Sequence, residues 1–215
     1  MLQQGFIIPF WSAVFGFMEK VSVFHWISIL LNKYKPLLNR YTFVETWVFG
    51  HLIASILASI IIYNVDFGPQ IWHRAIIWLI IVYGALRVFE IIIYQINMLF
   101  FHPFRGENYH IKSARRTLIL LLHNYAEIIF WYSAIQMGLL ILAGQSLQQI
   151  WVEYIRLNFY CIATLDGSII SNYFGNVPRF IANLTFIEVI SGLIITIISL
   201  ARFISLLPPV KQLEE

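Results

Sequence analysis

Thr164-Leu-Asp-Gly-Ser168 packs two hydroxyls and a carboxylate into five residues between two apolar segments long enough to cross a bilayer. Oxygen groups of this kind attract cations. Glu188 lies in the apolar run from Val177 to Leu207, with Thr185, Gly192, Thr196, Ser199 and Arg202 recurring at helical spacing on the same face. An intramembrane carboxylate ordinarily faces a cavity or a partner. Arg87 and Glu90 stand three apart, spaced to pair with each other or with Glu45 or His51. His123 and Glu127 stand four apart on one helix face, a spacing that could hold a metal. With no third ligand nearby, a polar pair is the simpler reading. A voltage sensor needs several arginines at every third position, and this stretch has one. No Gly-rich phosphate loop, nucleophile elbow or HExxH pattern occurs, so the reading is of a non-enzyme with no metal or organic cofactor.

Composition explains where such residues must sit. The 215-residue chain is 60% hydrophobic and 12% charged, with mean hydropathy +0.76. Soluble domains carry about 25% charge. The apolar residues fall in blocks of twenty or more, which points to a multi-pass membrane protein in contact with the lipid bilayer. The net charge of +3 follows from basic residues gathered on one side of the membrane, so nucleic acid is not implied as a partner. Cys161 is the single cysteine and excludes an intrachain disulfide.

The elements follow in order. Residues 6–31 read as one amphipathic helix lying in the interface, with Trp11 and Trp26 at headgroup level, and a fifth span as the alternative. Lys33, Lys35 and Arg40 form a basic hinge broken by Pro36. Spans are predicted over Thr42–Tyr63, Ile71–Phe101, Arg115–Gly144 and Pro178–Leu207, joined by a turn at 64–69 and a charged linker at 102–113. Ser146 and Gln149 have capping-box spacing, predicting a short helix over Leu147–Ala163. Such a helix is too short to cross and is expected to enter the membrane, turn at 164–168 and return. Counting basic residues places both termini and the 102–113 linker in the cytoplasm. The resulting units are residues 1–40, a peripheral two-helix unit at 41–113, a pore-type unit at 114–208 and a tail at 209–215.

Asn158-Phe-Tyr-Cys-Ile-Ala-Thr-Leu-Asp-Gly-Ser-Ile169 resembles the pore helix and filter of the potassium-channel superfamily, which writes Thr-Val/Leu-Gly-Tyr-Gly-Asp there. Leu200-Ala-Arg-Phe-Ile-Ser-Leu-Leu-Pro208 and His123-Asn-Tyr-Ala-Glu-Ile-Ile-Phe-Trp131 are similar to bacterial four-span members. The likeness covers about residues 115–208. It implies an all-α, homotetrameric pore-loop architecture in a plasma membrane (the bacterial inner membrane), with monovalent or divalent cations as permeant ions. Thr164, Leu165, Asp166, Gly167 and Ser168 would then form the ion pathway. Glu188, Gly192, Thr196 and Ser199 would line or gate the inner helix. Asp166 stands where the family has its first glycine or its tyrosine, so a ring of four carboxylates would attract cations and select weakly. The alternative is a channel-shaped sensor or anchor that does not conduct and recruits a cytosolic protein through its basic segments. A proton- or metal-linked transporter using Glu188, His123 and Glu127 lacks the second repeat of such folds.

Overall fold

The computed structural model describes residues 6–34, 40–64, 71–101, 114–174 and 178–205. The basic hinge at 35–39, the 65–69 part of the predicted turn, the 102–113 linker and the tail at 209–215 lie outside them. Among the described residues the chain is all-helical: α1 (Ile7–Val21), α2 (Val23–Tyr34), α3 (Arg40–Asn64), α4 (Ile71–Phe100), α5 (Ala114–Leu142), α6 (Trp151–Thr164), α7 (Ser168–Phe174) and α8 (Arg179–Ser205). Among the described residues four helices are long and apolar enough to cross a membrane: Thr42–Asn64, Ile71–Phe100, Arg116–Leu142 and Arg179–Ile204. A helix satisfies its own backbone, which a bilayer core demands.

The bundle is organised around α5, which packs on α3, α4, α6 and α8. In its most apolar stretch 67% of residues are buried, against 28–44% in the other three spans. Small residues explain the close approach to α4. A Cβ on Gly84 would sit 2.7 Å from the Trp131 ring, and one on Gly138 3.1 Å from Ile77. α5 runs antiparallel to α4, as the pairs Gly84–Trp131 and Arg87–Glu127 show. It runs parallel to α3, where Arg116 pairs with Glu45 and Phe49 faces His123.

Two predicted elements differ. The 6–31 segment is two helices, because the chain breaks at Ser22, whose backbone is extended. Ser22 Oγ accepts the His25 N–H at 3.4 Å, and the Glu90 carboxylate takes the Ser22 hydroxyl and, at 2.6 Å, the Phe24 N–H. A carboxylate from α4 thus helps to cap the start of α2. α1 lies along the C-terminal half of α4, where Asn97 donates to the Phe15 carbonyl and Phe15 meets Phe101.

The capping box does not form. Residues 145–150 are not helical, and α6 begins at Trp151 with Ile150 as an N-cap without a side-chain hydrogen bond. Tertiary contacts set this start: Trp151 Nε1 donates to Ser59 Oγ at 3.1 Å and its ring stacks on Phe130.

Candidate functional site: a half-length helix and its polar turn

Two polar constellations stand out in the bundle. The first surrounds α6, whose 14 residues reach about 21 Å at 1.5 Å per residue, well short of a bilayer core. Its inner face carries Tyr154, Leu157, Asn158, Cys161 and Ile162, all buried. Asn158 Nδ2 donates to Gln136 Oε1 at 2.7 Å, tying α6 to α5. Gly192 lets α6 reach α8: a Cβ there would lie 3.1 Å from the Ile162 carbonyl oxygen and 3.2 Å from its Cα.

α6 ends at Leu165, which adopts the left-handed conformation (φ 57°). Asp166 Oδ1 then accepts the Ser168 N–H at 2.9 Å, an Asx turn that starts α7. The Ser168 hydroxyl and backbone N–H together hold the Asp166 carboxyl below the usual carboxylate range. Thr164, Asp166 and Ser168 are exposed, while Leu165 and Gly167 are half-buried; a Cβ on Gly167 would press within 2.9 Å of the Thr185 methyl. As the chain passes from Ile162 to Gly167, its partner on α8 moves from Gly192 back to Thr185. Those partners lie about 20 Å and about 9 Å from the start of α8.

Glu188 faces inward beside this turn. It is 1% exposed, and its Oε1 has no partner among the described residues. Next to it Tyr132 Oη and Ser191 Oγ are 2.7 Å apart. Glu188, Gly192 and Ser191 are therefore enclosed by α5 and α6 within one chain, Ser199 is half-buried, and Thr196 is exposed. The outward face of α8 is apolar, carrying Phe186, Ile187, Leu193, Ile197 and Leu200.

No family model, no curated protein and no solved structure matches this chain.

The second constellation is charged. Arg87 reaches Glu127 with two nitrogens, at 2.7 and 3.2 Å, and Glu90 with a third at 2.6 Å. Trp131 Nε1 also donates to Glu127, at 3.2 Å, and the guanidinium lies 5.8 Å from the Trp47 ring centroid. All three charged side chains are buried. Beside them His51 bridges the Trp47 carbonyl (2.8 Å) and the Tyr83 hydroxyl (2.7 Å).

The structure brings Arg87 and Glu90 together, as their spacing predicts, but gives Glu127 to Arg87 rather than to His123. His123 Nδ1 instead contacts the Ile119 carbonyl at 2.8 Å. Among the described residues no group of three His, Cys, Asp or Glu side chains could hold a metal. Sequence reading missed Ser22, Trp47 and Trp131 as partners of this cluster. The signal for Trp131 was its position four residues after Glu127 on the same face.

Proposed function

We propose that this chain is one subunit of a homotetrameric, weakly selective cation channel, with the Leu165–Gly167 turn at the constriction. The observation that carries the reading is the half-length α6, held between two spanning helices and ending in a turn whose Thr164, Asp166 and Ser168 side chains face away from the chain's own core. The return of its α8 partners from Gly192 to Thr185 is what a re-entrant segment requires. Four copies around an axis would bring four Asp166 carboxylates together, a ring that favours cations over anions.

In this reading Glu188 lies behind the turn, and α8 turns its apolar face and Thr196 outward. The filter lacks what potassium selectivity needs. Asp166 caps Ser168 and α7 resumes at once, leaving no run of extended residues to aim successive carbonyls at an ion. The same observation favours the second reading, a closed pore in a sensor or anchor subunit.

The test is cation flux from proteoliposomes holding the Asp166→Cys variant, in which the natural Cys161 is buried and shielded from labelling. A membrane-impermeant, positively charged thiol reagent should cut flux severalfold, and reduction should restore it. Unchanged flux on full modification would sink the proposal, and so would absence of flux from the native chain.

A further inference from the structure

At the end of the bundle where α5 stops and α8 starts there is a cavity of about 400 Å³. It is of the size that takes a small ligand, and tenfold larger than the cavity of about 40 Å³ beside Arg87. Its wall combines the α5–α6 connector, with Gln145, Ser146, Gln148 and Gln149, and the end of α7, with Tyr173 and Phe174. None of the described lining residues carries a charge. Arg and Lys side chains are the strongest side-chain donors to phosphate and carboxylate groups. Among the described residues this wall offers no such side chain.

What it offers is a set of groups that both donate and accept. Each glutamine amide supplies two donors and a carbonyl, and the serine and tyrosine hydroxyls do both. A ligand dense in hydroxyls matches that set, since every hydroxyl also donates and accepts. The aromatic side fits the same chemistry. Phe174 stacks on Tyr154 at 5.8 Å and 22°, and Tyr173 meets Phe174 edge-on at 5.4 Å, fixing rings against which a sugar's C–H face can lie.

Its position supplies the source. The span in α5 ends at Leu142 and that in α8 begins at Arg179, so the cavity lies at the boundary of the spanning region, where lipid headgroups and dissolved solutes both reach. We propose that this cavity binds an uncharged saccharide, either free or as the headgroup of a glycosyl lipid. The site stands whether or not the chain conducts ions.

The experiment uses the full chain in phosphatidylcholine nanodiscs, prepared without sugar-based detergents that would fill the cavity. Maltose is titrated calorimetrically, and in parallel the melting temperature is followed as diglucosyl diacylglycerol is added to the bilayer. Saturable maltose binding, weakened about tenfold in Gln148→Leu/Gln149→Leu, supports the site with a soluble ligand. A saturable rise in melting temperature with the glycolipid, lost in the same variant and not given by phosphatidylglycerol, supports it with a lipid ligand. If that variant does not fold, Tyr173→Leu carries the comparison. Absence of both effects, an equal effect of phosphatidylglycerol, or binding untouched in the folded variants overturns the proposal.

Discussion

Arg87 holds two carboxylates inside an apolar bundle, and removing it would leave both without their cation. Breaking a buried pair from one side costs about 3–5 kcal/mol, far more than a surface pair. Arg87→Met should therefore destabilise the bundle by about 3 kcal/mol or more, while Arg87→Lys loses less because it keeps the charge but not the fork. Glu127→Met together with Arg87→Met should recover part of that loss. Denaturant titration in detergent reads all three; equal stability of Arg87→Met and the native chain would refute the structural role.

Asp166 carries the second residue-scale prediction. In a single chain Ser168 holds its carboxyl below the ordinary value, so the ionised form adds stability. That contribution is complete above the ordinary carboxylate range, about pH 4, and is lost only as pH falls through the lowered value. No loss through this group is expected between neutrality and pH 5. Four carboxylates facing one another would oppose this and raise the titration. Carbon-13 titration of Asp166 should give a higher midpoint in the oligomer than in the dissociated chain, and identical midpoints would argue against a ring.

Element boundaries separate what sequence carries from what packing decides. The four spans are legible because twenty apolar residues state their environment directly, and the predicted limits lie within about three residues of those seen. The shortness of α6 and the turn after Thr164 are legible for the same reason, as a polar break at a fixed distance from an apolar helix. The start of α6 is not. Ser146 and Gln149 have the spacing of a cap, but Trp151 is held by Ser59 and Phe130, from two other helices, and the helix begins there. The break at Ser22 is hidden too, because one of its caps, Glu90, is sixty-eight residues away. The partner of Glu127 depends on how α4 and α5 pack, whereas local spacing favours His123.

Glycine positions test that packing. Gly84→Ala and Gly192→Ala each gain up to about 1 kcal/mol of helix propensity, but overpacking costs about 1–3 kcal/mol. The Gly84 Cβ would lie 2.7 Å from a buried tryptophan and the Gly192 Cβ 3.1 Å from a backbone carbonyl, so overpacking should win at both. Both variants should melt below the native chain. A rise in melting temperature at either would mean that the helices separate more easily than the geometry implies.

As a whole molecule the chain carries two polar clusters with different roles. The Arg87 cluster locks α4 to α5 and, through Glu90, to the α1–α2 break, whereas the Asp166 turn leaves its oxygens outward-facing. In the proposed channel this turn would face water on an axis shared with other copies, while the apolar residues on the outward face of α8 would meet lipid. The most direct test of that arrangement is the reversal potential of the reconstituted native chain and Asp166→Asn under sodium–potassium and sodium–chloride gradients. A native current that favours cations over chloride, separates sodium from potassium weakly, and loses its cation preference in Asp166→Asn is the expected result. Strong potassium selectivity, or a cation preference unchanged in Asp166→Asn, would contradict it.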